Sequence, residues 1–422
     1  MFPLDRSTFD RAQSVRPQWR QPSRSAAFDV FEKLSMPDPK EEAWRYVDLD
    51  FDLADYSVPA DAGDRVDRPD VIRNALGTTA GVAMVRNGVT TIESSTADVV
   101  FARLADAGPE HGTLILDAIP SDLDIFSAAH HAFGTDGVLL SVDRPISEPF
   151  FIDIEASTPG SVSFPRVAMT VADNASASVV LNCRSPHDTD LVVVPQIEAE
   201  LGDGARLEVT ILQNWGYQTK AIGQSRVVVG RDATIRISEV GLGADLSRLH
   251  LTVDLEGRGS SSEILGVYFG ERDQTLDYRY FMNHIGQNTS SEMFLKGAVE
   301  DEALSVFTGM IRIEKDAQRT NAHQTNRNLI LSDGAAAQSV PNLEILANDV
   351  RCGHGSTMGP LDPEHRYYLM SRGLDRERAD RLQVRGFFEE VIARLPRQEI
   401  TEPLRDWFNT KFVTAQAEGR VQ

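Results

Sequence analysis

The sequence predicts a mainly β protein: a rod of stacked β coils, or β-solenoid, flanked by helical segments at both ends. Three observations lead there. From about residue 137 to 358 the chain runs in short alternating apolar stretches separated by Gly, Asp, Asn and Ser, as strands between turns do. One turn also recurs: Gly202, Gly230, Gly257 and Gly286 each open a Gly-x-x-small sequence, and by subtraction they lie 28, 27 and 29 residues apart. Each turn leads into a strand-like alternation such as Leu207/Val209/Ile211, Ile235/Ile237 or Met293/Leu295. A near-constant interval of this size marks units that bury their apolar faces only against their neighbours. A stacked β-sandwich also gives short strands between turns, but the equal spacing favours coils.

In order along the chain, residues 1–70 read as an N-terminal helical segment and linker. Phe28, Phe31 and Leu34 recur at helical spacing before Pro37 and Pro39 interrupt them. EEAWRYVDLD places acidic residues ahead of an aromatic pair, as a helix N-terminus prefers. DYSVPADAGDRVDRPD is the linker. Residues 71–135 form a mixed α/β lead-in with a helix around DLDIFSAAHHAF, and residues 136–360 form the coil core. Residues 361–422 form a C-terminal helical domain. There Asp362, Pro363 and Glu364 read as N-cap, N1 proline and acidic first turn, and Gly373 as the C-terminal stop. A second helix carries Leu382, Phe388, Val391, Ile392 and Leu395 largely on one stripe, and a third carries Leu404, Trp407, Phe408 and Phe412. A solenoid has open ends that must be capped or used for pairing, and the terminal helices are expected to be the caps.

Charge narrows the function classes. With 63 acidic against 42 basic residues the net charge is -21, which disfavours nucleic acid and anionic lipid as direct partners. No apolar run approaches the roughly 18 residues needed to cross a bilayer, and the opening MFPLDRSTFDRAQ has no signal-peptide core. Two cysteines cannot make a disulfide framework, so a cytoplasmic chain with reduced thiols is expected.

Cys352 and His354 sit two residues apart, and on a strand such residues emerge on the same face. A soft thiolate beside an imidazole suits iron or zinc, although two donors do not complete a coordination sphere. His130 and His131 are adjacent on a helix, about 100° apart, and read as packing. His323, Gln324 and Asn326 read as part of an internal hydrogen-bond ladder, His365 as a surface residue and Cys183 as structural. No G-x-x-x-x-G-K-[ST], G-x-S-x-G or H-E-x-x-H motif is present.

EEAWRYVDL at 41–49, AHQTNRNLILSDGA at 322–335, PNLEILANDVRCGHGSTMG at 341–359 and YYLMSRGL at 367–374 together resemble the SufB/SufD family of iron–sulfur cluster assembly proteins. The Cys-x-His-Gly stretch is similar to the SufD branch. Ser332 stands where the SufB branch carries a cysteine, and Gly353 replaces the serine common in SufD. The resemblance implies a right-handed parallel β-helix core and a scaffold subunit that is not itself an enzyme. It implies pairing with a SufB-like paralogue and docking of a SufC-like ABC ATPase, two copies per complex. It further implies that His354, with Cys352, faces a transient iron or iron–sulfur cluster shared with the partner, aiding the supply of iron. Arg372 and Gly373 match the helix end near which the ATPase is expected to dock. A homodimer is the alternative assembly, and whether a flavin binds is left open. Two alternative functions stand beside this one: a β-helix enzyme acting on polysaccharide, and a mononuclear metal enzyme using Cys352, His354 and a third residue such as His323.

Overall fold

The recurring glycine turn is one corner of a coil, repeated along a rod. Gly202, Gly230, Gly257 and Gly286 each follow a strand of one sheet and precede a strand of the other. Their N–H groups donate to Val171, Leu201, Val229 and Leu255 of the preceding coil at 2.8–3.0 Å. Stacking brings the backbones so close that a Cβ on Gly257 would lie 2.0 Å from the Arg231 nitrogen. Two residues later the chain turns left-handed at Gly204, Asp232, Gly259 and Asn288 (φ +67, +55, +77 and +56°). Glycine, Asn and Asp tolerate that conformation best. The fourth position points inward as Ala205, Ala233, Ser260 and Thr289, all buried.

The structure, a computed structural model, describes residues 1–15, 17–96, 98–108 and 118–417, with side chains as far as 411. The side chain of Phe412 lies outside the described residues. About eight coils stack, each giving one strand to each of two parallel sheets. Sheet I runs from Gly81–Arg86 through Phe150–Glu155 and Ser176–Arg184 to Asn321–Ile330 and Arg351–Gly359. Sheet II runs from Val138–Val142 through Arg166–Val171 and Gln196–Leu201 to Leu304–Ile313 and Ala336–Ile345. At the first end both ladders close with antiparallel partners, Val89–Ser95 on sheet I and Val100–Arg103 on sheet II. At the other end Arg351–Gly359 and Ala336–Ile345 each have a neighbour on one side only among the described residues. Between the sheets lies a continuous apolar core, from Ala83 and Ile152 to Ile311 and Ala322.

The terminal helices do not cap the rod as the sequence suggested; they lie along its two outer faces. Arg6–Ser14, Gln21–Phe31 and Ile125–Phe133 bring Phe9, Phe28 and Phe133 against Phe164, Val192, Val194 and Ile222 outside sheet II. Arg376–Ile392 and Thr401–Ala417 bring Val384, Phe388, Val391 and Leu404 against Val180, Leu212, Val240 and Phe269 outside sheet I. Parallel sheets want both faces covered, which explains the placement. Charge pairs tie the second group down: Lys296 to Glu390, and Arg394 to Glu263 at 2.8 Å and Glu292 at 2.7 Å. Leu382, expected on the buried stripe, is exposed. EEAWRYVDLD makes only a single 3-10 turn, Glu42–Trp44, anchored by buried Trp44 under the Arg248 guanidinium at 3.7 Å.

Candidate functional site

Parallel register carries one side-chain position from coil to coil, and it fixes where Cys352 and His354 point. Cys352 ends the stack Ala177, Leu207, Ile235, Ser262, Ser291, Ala322; His354 ends the stack Val179, Val209, Ile237, Ile264, Met293, Gln324. Both stacks face the interior, where Ala322 and Gln324 are buried. Among the described residues no further coil covers the last strand, so inward-facing positions there open to solvent: Cys352 is half-buried against the core and His354 is exposed. The thiol and imidazole therefore share the uncapped mouth of the rod. A Cβ on Gly353, between them, would reach no closer than 3.5 Å to a heavy atom, so a serine fits there equally well.

Behind His354 the interior turns from apolar to polar. Gln324 donates to the Asn342 carbonyl at 3.0 Å. Deeper, Asn328 donates to Asn326 at 2.7 Å, Asn326 to the Tyr268 hydroxyl at 3.2 Å, and that hydroxyl to Asn328 at 2.7 Å, closing a ring. The expected internal ladder thus exists through Gln324 and Asn326, but His323 is not in it. His323 points to the outer face, against Asn321 Oδ1 at 3.2 Å. It stands on the opposite side of the sheet from His354, which removes it as a shared third ligand. Among the described residues no group of three or more His, Cys, Asp or Glu side chains could hold a metal ion. Cys352 and His354 supply two donors, short of the four that a closed metal site takes.

The other titratable candidates are structural. Burial pushes the Cys183 thiol well up, with Glu239 and Asp153 adding to it, so it stays neutral. Burial and the neighbouring Arg166 hold His130 and His131 well below the usual imidazole range. Both nitrogens of each ring are engaged: His130 Nδ1 meets the Val194 carbonyl at 2.7 Å and His131 Nε2 the Ile119 carbonyl at 2.9 Å, while Arg166 reaches the other nitrogens at 3.2 and 3.5 Å. His365 is exposed, 3.4 Å from Asp362.

Arg372 and Gly373 end the helix Pro363–Ser371 as the sequence predicts. Asp362 accepts from the Glu364 and His365 N–H groups, and Gly373 takes φ +95° with its N–H on the Met370 carbonyl at 3.0 Å. The same helix buries none of its residues; Tyr367 is 77% and Tyr368 56% exposed, and Met370 joins them. The helix thus exposes aromatic and apolar area of the kind that binding surfaces carry.

One region escaped the sequence altogether. Asp64–Val71, the coil corners at His187, Tyr217 and Arg272, and Trp407 and Lys411 of the last helix enclose a cavity of about 1030 Å³. Its residues come from stretches far apart in the sequence, and no local motif signals it.

Comparison with known proteins identifies the chain's relatives. Residues 152–387 match the family model described as the SufBD core domain of SUF system FeS cluster assembly. An iron–sulfur cluster assembly SufBD family protein of Mycobacterium tuberculosis is 30% identical over 389 residues, covering 90% of each chain. The iron–sulfur cluster assembly protein SufD of Bacillus subtilis is 28% identical over 318 residues, 72% of each chain. A SufBD family protein of Synechocystis is 27% identical over 424 residues, 92% of this chain and 90% of its own.

Proposed function

This chain belongs to the SufB/SufD family and has a role in SUF iron–sulfur cluster assembly, and from that premise we propose that it is a SufD-type scaffold subunit that lends half of a shared iron or cluster site. One observation carries the proposal: Cys352 and His354 converge on the uncapped mouth of the solenoid, beside strands with unpaired edges. An unpaired strand edge presents a row of N–H and C=O groups ready for another chain. Ile345, Leu346 and Met358 are exposed around the same mouth and add apolar area. A SufB-like paralogue seated there would bring its own ligands opposite His354. The relative named SufD supports the branch.

The exposed helix Pro363–Ser371, ending at Arg372 and Gly373, is the docking surface for a SufC-like ATPase. ATP-driven movement of two such subunits would act on the shared mouth through the terminal helices, which are packed against sheet I. This chain performs no turnover alone; it positions the thiol and the imidazole, and the iron and sulfur are cargo.

The test is His354→Ala in cells lacking the native copy. Because His354 is exposed, the variant folds and still co-purifies with its partners, while the activity of iron–sulfur enzymes in those cells falls. Undiminished iron–sulfur enzymes in that strain would reject the role of His354. Co-purification of wild type without an ABC-type ATPase and a longer paralogue would reject the assembly.

A further inference from the structure

The cavity between the linker, the coil corners and the last helix has an unusual charge arrangement for so acidic a chain. Four cations line it: Arg65, Arg68, Arg272 and Lys411. Two are neutralised within the fold. Arg65 meets Asp70 at 2.6 Å, and Lys411 pairs with buried Glu271 while also touching the Tyr217 hydroxyl at 3.1 Å. The other two have no carboxylate among the described residues. Arg68 donates through Nη1 to the Asn214 carbonyl at 2.7 Å, and its Nη2 is buried with no acceptor. Arg272 stands at a left-handed corner (φ +60°), held by its own N–H on Asp301 at 2.8 Å. Its guanidinium lies 4.1 Å from the centre of the Tyr217 ring, which also meets Lys411 Nζ at 4.7 Å and the His187 ring, stacked at 5.2 Å.

A buried guanidinium nitrogen without an acceptor costs free energy that the fold does not recover internally. A second arginine, fixed over an aromatic ring, holds its charge toward the same space. Guanidinia placed this way match the oxygens of phosphate, which they bind through paired hydrogen bonds. Val66, Leu242 and Trp407 supply apolar wall beside such a contact. Exposed Asp64, Asp67 and Asp188 line it too, which disfavours anions in general and selects one able to engage both guanidinia.

We infer that this cavity is a binding site for a small phosphate-bearing oligoanion, held by Arg68 and Arg272. The ligand would join three parts that are far apart in the sequence: the 64–71 linker, the coil corners and the helix carrying Lys411. Binding there would stiffen the attachment of the terminal helices, independently of what happens at the Cys352/His354 mouth.

Calorimetric titration of the full chain with inorganic pyrophosphate and, separately, with ADP tests the site. Saturable binding of at least one is expected at low salt, with ADP the tighter ligand if the phosphate arrives on a nucleoside and pyrophosphate if it arrives free. Arg272→Gln, at an exposed position, keeps the melting temperature and weakens binding about tenfold or more; Arg68→Gln does the same if it folds. Hydrogen exchange slows at residues 64–71 and 401–411 when ligand is present. No saturable binding of either anion at millimolar concentration, or an Arg272→Gln protein that binds as tightly as wild type, overturns the inference.

Discussion

Glu239 offers the sharpest quantitative test of the interior. It is fully buried on sheet I, its neighbour Gln213 donates to one carboxylate oxygen, and the other oxygen has no partner among the described residues. Burial raises its pKa from 4.5 to about 8, partly offset by the Gln213 hydrogen bond. The folded chain therefore keeps a proton at neutral pH that the unfolded chain releases above pH 4.5. Stability from this residue is complete below 4.5 and declines as pH rises toward 8. The gap between 4.5 and 8 corresponds to about 4–5 kcal/mol at most. For 422 residues, with an unfolding entropy of about 2 cal/mol/K per residue, that is about 5 °C in melting temperature. Glu239→Gln has nearly the same shape and does not titrate. Thermal melts of both proteins should nearly coincide at pH 5, with the wild type falling about 5 °C below the variant by pH 8.5. Parallel curves across that range would show that Glu239 is ionised or solvated and that the dry interior is wrongly described.

Three further outcomes follow from packing. Arg166 is buried against Glu198 at 2.8 Å and Gln196 at 2.6 Å, so Arg166→Met should cost about 3–5 kcal/mol by denaturant unfolding, and adding Glu198→Gln should recover part of it. Gly257→Ala drives a Cβ onto the Arg231 backbone and should cost about 3 kcal/mol in the same assay, whereas Gly353→Ser at the open mouth should be neutral. Replacing Tyr367 and Tyr368 together by serine should leave stability within about 0.5 kcal/mol, since neither is buried, yet abolish ATPase pull-down; retained ATPase would exclude that helix as the docking surface.

What the sequence revealed, it revealed through repetition. The glycine corners were legible because each coil repeats the same close approach of backbones, and only small residues survive it. Cys352 and His354 were legible as a pair because strand geometry alone puts i and i+2 on one side. Which side required the inter-coil register: Gln324 pairs with His354 and points in, and by the same parity His323 points out. The helices misled for a physical reason. A stripe of apolar residues says that a helix needs cover, not whether a sheet face or a rod end supplies it, and Leu382 looked like stripe until Val384 and Phe388 fixed the buried side. The cavity of Arg68, Tyr217, Arg272 and Lys411 had no local signature, because its parts meet only when the linker and last helix settle on the coils.

The left-handed corner has one more consequence. At each of these corners the third residue donates its N–H to the next coil, as Gly204 does to Arg231 at 2.7 Å, Asp232 to Arg258 at 2.9 Å and Gly259 to Gln287 at 2.9 Å. These contacts mesh like gear teeth, yet successive recurring glycines lie 28, 27 and 29 residues apart, so an added residue is taken up within its own coil while the ladders keep their register. Duplicating or excising one full circuit preserves the mesh. Adding or removing whole circuits thus lengthens or shortens the rod, moving the Cys352/His354 mouth along the axis without altering its shape.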